Sequence, residues 1–450
     1  MAADSVLPAA FRDADYRRRR RRNWVVVGLL YSFFYMTRYN FSALAPTLQE
    51  IFGWTKGDLG IFETLLPLVY GISVVVNAPL ADRFGGRRSF LFGAAGVVVL
   101  NVVFGLFYLV VVAPGRFVWD VTPRQLAWIM AVVWAVNGYF QSFGALSIVK
   151  INAQWFHLRE RGTFGAIFGV LIRFGLILAF SGVPFIVNYL PWQWGFFIPA
   201  ALVAALFVGV LVWVVETPVA AGFEDLDTGD ADLGAAGERV GVLTILTRVF
   251  TSPTMWMIAV ASMMIGFVRR SVVDAWWPVY FKDVLGVQKV DAPYQIAAWG
   301  IAVAGILGGF AFGVTSDRVY AGRRAPVVTM GFGGIVVALA AFAASGALHL
   351  GPAAAIASML LLSFFVNGAH GMIGGAASMD FGGKKGAATA AGLFDGMQYL
   401  AGAVTGTAVG FITTRWGWEA WKVWPIPFAL VGAGVMARLW NVRPARGGGH

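Results

Sequence analysis

Long apolar segments follow one another along almost the whole chain, and short polar segments separate them. The apolar segments are about 20 residues long, which is the length that an α-helix needs to cross the hydrocarbon core of a bilayer. Glycine and proline interrupt many of them, as membrane-spanning helices tolerate. The pattern predicts an all-α integral membrane protein with twelve transmembrane helices. The predicted spans cover residues 24–46, 58–80, 89–113, 125–148, 163–187, 193–215, 254–279, 294–315, 326–347, 352–376, 387–412 and 423–440.

The longest polar segment, residues 216–245, divides the twelve predicted spans into six and six. It is acidic and rich in glycine and alanine, a composition typical of a flexible connection. We therefore predict three parts: an N-terminal six-helix bundle (1–215), a cytoplasmic linker (216–245) and a C-terminal six-helix bundle (246–450).

Short patterns of the first six spans recur in the last six, in the same order and at nearly constant spacing. This repetition predicts duplication of a six-helix unit, and hence two pseudo-symmetric bundles. Parallel repeats of this kind place a substrate site at their interface, near the midplane of the bilayer. The matching pairs are Arg38 and Arg270, LADRFGGRR (80–88) and TSDRVYAGRR (315–324), and VNG at 136–138 and at 366–368.

The composition supports the membrane assignment and narrows the chemistry. The chain is 58% hydrophobic and 13% charged, with a mean hydropathy of +0.72, so a soluble protein of this length could not bury its apolar surface. The absence of cysteine excludes disulfides and thiolate metal sites. Histidine, aspartate and glutamate are scattered without the spacing of a metal site or of a nucleophile and its base. We therefore predict no enzymatic activity, no metal and no cofactor.

The net charge of +11 is unevenly distributed between the two sides of the predicted bundle. Most of the 34 lysines and arginines lie at the N-terminus, at the C-terminus and in the loops on their side. The positive-inside rule therefore predicts a multi-pass protein of the cell (inner) membrane with both termini cytoplasmic. The arginine run 17–22 leads into a span too long for a cleavable signal peptide. This topological role explains the basic runs without a nucleic-acid partner; the expected partners are the lipid bilayer and a small anion, and the protein is expected to act as a monomer.

Two arginines lie deep inside predicted spans, Arg38 in the first and Arg270 in the seventh. A charged side chain at the centre of a span costs at least about 2.5–3.5 kcal/mol. Guanidinium is always charged, and its planar fork of donors matches the oxygens of a phosphoryl group. One interpretation is therefore that both arginines bind an anionic substrate. The alternative is that each pairs with a buried carboxylate; Asp274 lies four residues after Arg270, on the same face of a regular helix. Arg269 points about 100° away from Arg270 and is expected to pair locally or to extend towards the membrane surface.

Several motifs carry a resemblance to a known family. LADRFGGRR and SDRVYAGRR resemble the loop signature of the major facilitator superfamily. The chain resembles most closely its organophosphate:phosphate antiporters, which include the glycerol-3-phosphate and hexose-phosphate transporters. The segments that carry this closer resemblance are TRYNFSALAP (37–46), KGDLG (56–60), WFHLRERG (155–162), RSVVDAWWPVYFKDV (270–284) and GKKGAATAAG (383–392).

The resemblance implies a secondary transporter that exchanges an organic phosphate for inorganic phosphate by alternating access, with Arg38 and Arg270 at the phosphate. In the loop signatures, the aspartates are expected to accept hydrogen bonds from helix ends and arginines at the cytoplasmic face and so to stabilise one gate state. The predicted gating-loop residues are Asp82, Arg83, Arg87, Asp317 and Arg318.

The polar groups of the family's site are only partly present. The family's lysine after the first-span arginine is Tyr39 here, and its second-span lysine is Val74. Three other ionisable residues lie within spans instead: Arg173, His370 and Asp395. In one interpretation they rebuild the site, with Arg173 and His370 binding the anion and Asp395 balancing charge or taking up a proton. In the other, Arg173 and Asp395 form a salt bridge between helices and His370 is a core residue.

Uncharged polar residues are expected to orient the organic part of the substrate, and Asp274 to balance charge or couple to protons. The uncharged candidates are Tyr35, Tyr39, Asn137, Gln141, Asn367 and Gln398.

Two other functions remain open from the sequence. A proton-coupled symporter for an organic acid or sugar acid would use the arginines for a carboxylate and Asp395, Asp274 or Glu63 for the proton. Glu63 is otherwise expected to pair with a loop lysine. A transporter-like membrane receptor for a sugar phosphate would bind the same ligand without carrying it.

Overall fold

The computed structural model describes residues 13–113, 116–156, 161–224, 247, 250–320 and 323–442. Most of the predicted linker lies outside these residues, as do the side chains of Asp82, Arg83 and Asp317. The described chain is almost entirely helical, which confirms the all-α prediction.

Seven helices form the N-terminal part of the described chain. A π-helical turn (Leu178–Gly182) joins the fifth helix to the sixth without a loop. The predicted third span ends early, because a 3₁₀ turn (Phe107–Val110) leads into a short antiparallel pair of strands, β1 (Val111–Ala113) and β2 (Arg116–Phe117). The helices are α1 (Ala14–Phe52), α2 (Lys56–Phe84), α3 (Gly86–Leu106), α4 (Pro123–Trp155), α5 (Arg161–Ile177), α6 (Val183–Tyr189) and α7 (Trp194–Trp213).

Eight helices form the C-terminal part of the described chain. A π-helical segment (Arg269–Trp276) joins the first two, and another (Gly371–Ala377) joins the fifth to the sixth. The sequence predicted a break between the tenth and eleventh spans, at residues 377–386, but the structure continues as helix through these residues. The helices are α8 (Pro253–Val268), α9 (Trp277–Asp283), α10 (Ala292–Arg318), α11 (Arg324–Ala347), α12 (Gly351–His370), α13 (Ser378–Arg415), α14 (Gly417–Val423) and α15 (Ile426–Arg438).

Ten helical segments of the described residues are long and apolar enough to cross a membrane. Predicted spans 1 and 11 lie within α1 and α13, which do not meet that criterion. Both of these helices carry polar residues near their middle, and such residues lower the mean hydropathy of a span. The multi-span membrane architecture is therefore confirmed, whereas the count of twelve and the pseudo-symmetry of two bundles stay predictions.

The N-terminal and C-terminal helices pack most closely where α2 contacts α13. A methyl group added at Gly60 would lie 2.9 Å from the backbone oxygen of Gly406, and one added at Gly410 would lie 2.9 Å from that of Lys56. Small residues permit such close approach of membrane helices. The seam occupies the distal end of the bundle, which we define as the end where α1 stops at Phe52 and α2 begins.

Alanine in place of Gly406 is expected to separate α2 from α13 at the distal end. Its methyl group would overlap the backbone of Glu63 and Thr64, and only movement of a helix can relieve a clash with backbone. Overpacking of this kind costs about 1–3 kcal/mol, so the population of molecules in which α2 and α13 pack tightly at the distal end should fall several-fold. Labelling of a cysteine introduced at Thr64 measures this population, and its labelling rate should rise. Gly434→Ala is the control, since nothing lies within 4 Å of the added methyl group there.

Candidate functional site

The π-helical segment Arg269–Trp276 decides which arginine faces which acid. A π-helix gains an extra residue per turn, so residues five apart come into line. The Nε of Arg269 lies 2.7 Å from Oδ2 of Asp274, and both side chains are buried. The N–H is not aligned for a hydrogen bond, so the contact is a charge pair. The regular helix assumed from the sequence had placed Asp274 beside Arg270 instead.

Arg270 pairs with a carboxylate across the junction of the N-terminal and C-terminal helices. Its Nη2 donates to Oε2 of Glu63 on α2, and Oε1 of Glu63 accepts a hydrogen bond of 2.6 Å from the hydroxyl of Ser42. The guanidinium also lies 5.6 Å from the ring centre of Tyr39. The loop lysine expected for Glu63 is therefore replaced by Arg270, whose charge is compensated within the protein.

Arg38 on α1 is buried without a carboxylate partner among the described residues. Its Nε and Nη2 donate to Oε1 of Gln141 at 3.3 and 3.2 Å, and its Nη1 donates to the hydroxyl of Tyr399 on α13 at 2.8 Å. The rings of Tyr35 and Tyr70 lie 4.9 and 4.4 Å from the guanidinium carbon. These contacts hold the guanidinium rigidly but engage three of its five N–H groups, and none of them cancels its charge.

Arg173 on α5 is the second buried arginine without an acid partner in the described part of the chain. Its Nη2 donates to Oδ1 of Asn367 on α12, and its Nη1 has no hydrogen-bond partner within the ranges that the structure describes. The amide nitrogen of Asn367 donates to Ser363, which fixes the orientation of the amide. The positive charge of Arg269 repels that of Arg173, so the two guanidinium groups lie close enough to interact electrostatically. The salt bridge between Arg173 and Asp395 that one interpretation proposed is not formed.

His370 and Arg269 present two donors to one point. Arg269 Nη1 donates to Oε1 of Gln398 at 2.9 Å, and Nε2 of Gln398 lies 3.0 Å from Nδ1 of His370. This amide orientation makes Nδ1 of His370 the acceptor and assigns the ring proton to Nε2. That Nε2 lies 3.5 Å from Nη1 of Arg269, so in this tautomer two N–H groups lie side by side. An anionic oxygen is the group that fits there.

Asp395 on α13 lies beside His370 without an ion pair in the described residues. A methyl group added at Gly374 would lie 3.7 Å from Oδ1 of Asp395 and 3.5 Å from Cε1 of His370. The charges of Arg269 and Arg38 act on its carboxyl group. The carboxyl therefore lies near the same charged centre as Arg269 and Arg38.

The buried centre carries an excess of positive charge. Among the described residues, four guanidinium groups lie there, and Asp274 and Glu63 compensate two of them. Two positive charges remain, and ionised Asp395 reduces the excess to one. In a low-dielectric interior such an excess is costly unless a mobile anion or proton balances it.

A family model described as Major Facilitator Superfamily matches residues 27–407 of the chain. The chain belongs to the Major Facilitator Superfamily. Among its relatives in this superfamily, the glycerol-3-phosphate transporter of Bacillus subtilis is 28% identical over 95% of this chain and 94% of its own length. The membrane sensor protein UhpC of Salmonella typhimurium is 26% identical, and the probable hexose phosphate transport protein of Chlamydia trachomatis is 25% identical; each alignment covers 95% of this chain and 92% of the relative. These similarities confirm the resemblance to the organophosphate:phosphate antiporter family.

The uncharged candidates of this superfamily member differ in their surroundings. Gln141 positions Arg38 and also donates to the hydroxyl of Thr37 at 3.1 Å. Tyr39 donates to Oδ2 of Asp274 at 3.2 Å, and its ring stacks with that of Tyr35. Asn137 lies among the N-terminal helices, where Asn101 and the backbone of Thr37 bond both ends of its amide. The substrate roles of these residues stay predictions.

Sequence reasoning missed three residues of the centre: Tyr70, Tyr399 and Arg269. Tyr399 bonds to Arg38, and its ring centre lies 4.2 Å from that of Tyr70. Tyrosines within apolar spans look like core residues, although Tyr399 directly follows the candidate Gln398. Arg269 was expected to pair locally or to extend towards the membrane surface, and its ion pair with Asp274 confirms the local pairing. Its place in the centre was not predicted, because a regular helix would turn it away from Arg270.

Two gating-loop candidates have described side chains. The backbone N–H of Arg87 donates to Oε2 of Glu216 at 2.9 Å, and its Nη2 donates to the carbonyl of Leu211 at 2.7 Å. Arg87 thus ties the start of α3 to the end of α7. Arg318 is the last residue of α10 and is exposed. Their predicted role in gating is untested by these contacts.

Proposed function

We propose that this protein carries a small organophosphate, such as a sugar phosphate or glycerol phosphate, across the cell membrane in exchange for inorganic phosphate. The observation that carries the proposal is the pair of buried arginines, Arg38 and Arg173, that have no acid partner among the described residues and lie at the junction of the N-terminal and C-terminal helices. Relatives named as glycerol-3-phosphate and hexose phosphate transporters support the choice of substrate class.

A phosphate monoester suits the charge of this centre. It carries about −1.5 to −2 charges at neutral pH and has three acceptor oxygens. The excess of one to two positive charges matches that value, whereas a monocarboxylate would leave part of the excess uncompensated when Asp395 is protonated. The donors of Arg38, Arg173 and the pair formed by Arg269 and His370 supply charge-assisted hydrogen bonds.

The place where the two groups of helices meet supports alternating access as the mechanism. Contacts at the distal end hold them together: Lys56 lies 2.8 Å from Asp283, and the hydroxyls of Thr64 and Thr407 lie 2.6 Å apart. We interpret this form as closed at the distal end, which the topology predicts to be the outside. Rocking of the two parts about the central anion would open that end and close the other.

The unpaired charges also explain exchange in preference to net transport. An empty carrier would have to pass through the closed form with its arginines uncompensated, which is costly in a low-dielectric interior. A bound dianion removes that cost in either direction. Phosphate leaving on one side therefore permits an organophosphate to enter from the other.

Transport by purified protein in proteoliposomes tests this function. Phosphate inside the vesicles is expected to accelerate uptake of labelled glycerol phosphate or hexose phosphate, and an imposed pH gradient should not drive uptake when internal phosphate is absent. Uptake of a sugar acid driven by the pH gradient alone would instead establish proton symport.

A cysteine pair tests whether the distal end must open. The natural chain has no cysteine, so Thr64→Cys with Thr407→Cys introduces the only two thiols. The short distance between the hydroxyls suits a disulfide, and oxidation is expected to stop exchange. Reduction should restore it, and Thr64→Cys alone should be insensitive to the oxidant. Full exchange by the cross-linked protein would contradict opening at this seam.

A membrane receptor is the second candidate, because the chain is as similar to a membrane sensor protein as to the transporters. A receptor would bind the same organophosphate through the same arginines. Binding in detergent without exchange in proteoliposomes would identify it.

A further inference from the structure

A cavity at the distal end is lined by charged and polar residues that the central site does not use. It has a volume of about 190 Å³ and lies between the end of α1, the end of α9 and the segment that precedes α10. The polar lining consists of Thr47, Glu50, Lys282, Gln288, Lys289 and Tyr294. A phosphoryl group fits easily in this volume.

Lys282 and Lys289 differ in how their charges are compensated. The ammonium group of Lys282 forms an ion pair with Glu50 and also lies 3.3 Å from the backbone oxygen of Pro46. The ammonium group of Lys289 donates to the hydroxyl of Thr47, which carries no charge. Within the described lining, Lys289 therefore leaves one positive charge in excess.

Tyr294 supplies an independent sign that the cavity is incomplete. Its side chain is 1% exposed, and its hydroxyl has no hydrogen-bond partner in the described part of the chain. A buried hydroxyl without a partner costs about 1–3 kcal/mol. The residue lines the cavity, and its enclosed hydroxyl reaches an acceptor bound there only when the side chain turns towards the cavity, which would remove that cost.

We propose that this cavity binds a phosphoryl oxyanion, either inorganic phosphate or the head of an organophosphate, as a second site distal to the central arginines. Lys289 supplies the charge and the Tyr294 hydroxyl donates a hydrogen bond. The Lys282–Glu50 and Lys289–Thr47 contacts both join the N-terminal helices to the C-terminal ones. An anion that draws Lys289 away from Thr47 therefore weakens the distal closure at the moment when substrate is present.

The pH dependence of the Lys289 charge distinguishes anion binding at this site from anion binding at the central site. Burial lowers the pKa of Lys289 to about 8; Glu50 opposes this shift and Lys282 adds to it. The charged groups that act on Lys289 are Glu50 on α1 and Lys282 on α9, and the titratable Tyr294 on α10 lines the same cavity. The ammonium form prevails below that pKa and is lost above it, whereas arginine keeps its charge throughout. A bound anion favours the ammonium form and moves the loss to somewhat higher pH.

Equilibrium binding of labelled phosphate to the full chain in detergent tests the proposal. The wild type is expected to bind two phosphates per chain. Lys289→Met is expected to bind one, and the double variant Arg38→Gln with Arg173→Gln is also expected to bind one. Competition with glycerol phosphate in that double variant then shows which source the distal site accepts. If the wild type binds one phosphate and Lys289→Met still binds it, the distal site is overturned. If the wild type binds one phosphate and Lys289→Met is the only variant that loses it, the central site is overturned instead.

Sulfate, whose charge is constant above neutrality, supplies the pH measurement. Binding to the Arg38→Gln and Arg173→Gln variant should fall about tenfold or more between about pH 7 and pH 10, because the charge-assisted contact of Lys289 is lost. Lys289→Arg in that background should bind sulfate without this fall. A fall that persists with arginine, or sulfate binding that is independent of pH with lysine, would overturn the assignment.

Discussion

Lysine in place of Arg38 is expected to lower phosphate exchange by about 10- to 100-fold, because a charge-assisted hydrogen bond contributes about 1.5–3 kcal/mol. Lysine keeps the positive charge but has no planar fork. The fork lets Arg38 bond to Gln141 on one edge and to Tyr399 on another while it keeps two N–H groups for a phosphoryl oxygen. An ammonium group cannot reproduce this arrangement.

Initial rates of phosphate exchange in proteoliposomes measure the effect. Arg173→Lys should lower the rate similarly, since Arg173 also lacks an acid partner among the described residues. Arg124→Lys is the matched control, because Arg124 is exposed near the start of α4 at the distal end. Wild-type exchange by Arg38→Lys would show that the site needs only a charge at this position.

The membrane architecture was predictable from the sequence because the bilayer imposes a simple condition on every span. Each segment must be apolar over about 20 residues, and that condition is visible in the chain itself. The early end of α3 at Leu106 was not predicted, because residues 107–112 are as apolar as the span but form a 3₁₀ turn and the start of a strand. Hydropathy alone does not distinguish apolar residues that follow a helix from apolar residues within the helix.

The central site was predictable in its residue types but not in its pairing. Arg38, Arg173 and His370 were singled out because each is an ionisable residue within a span. The partner of Arg270 was not predictable, since Glu63 lies on a different helix and only packing of α2 against α8 brings them together. The π-helical segment turns the side chain of Arg269 towards Asp274. The sequence was interpreted with the period of a regular α-helix, which does not predict the extra residue in the π-helical turn.

Glutamine in place of Glu63 is expected to destabilise the protein by about 3–5 kcal/mol, because it leaves the buried charge of Arg270 uncompensated. Glu63 is 4% exposed and Arg270 is 8% exposed, so water cannot replace the lost carboxylate. The exposed pair of Lys282 and Glu50 offers a contrast: Glu50→Gln should change stability by less than about 1 kcal/mol. Unfolding temperature and denaturant midpoint in detergent measure both variants.

Removing both charges decides what Arg270 does. If the pair is structural, Glu63→Gln with Arg270→Gln should regain most of the stability that Glu63→Gln loses, since no buried charge is left unpaired. Exchange by the double variant should then remain within about tenfold of the wild type, because Arg38 and Arg173 still hold the anion. Recovered stability without exchange would instead place Arg270 at the substrate, and Glu63 would be the acid that substitutes for the anion when the site is empty.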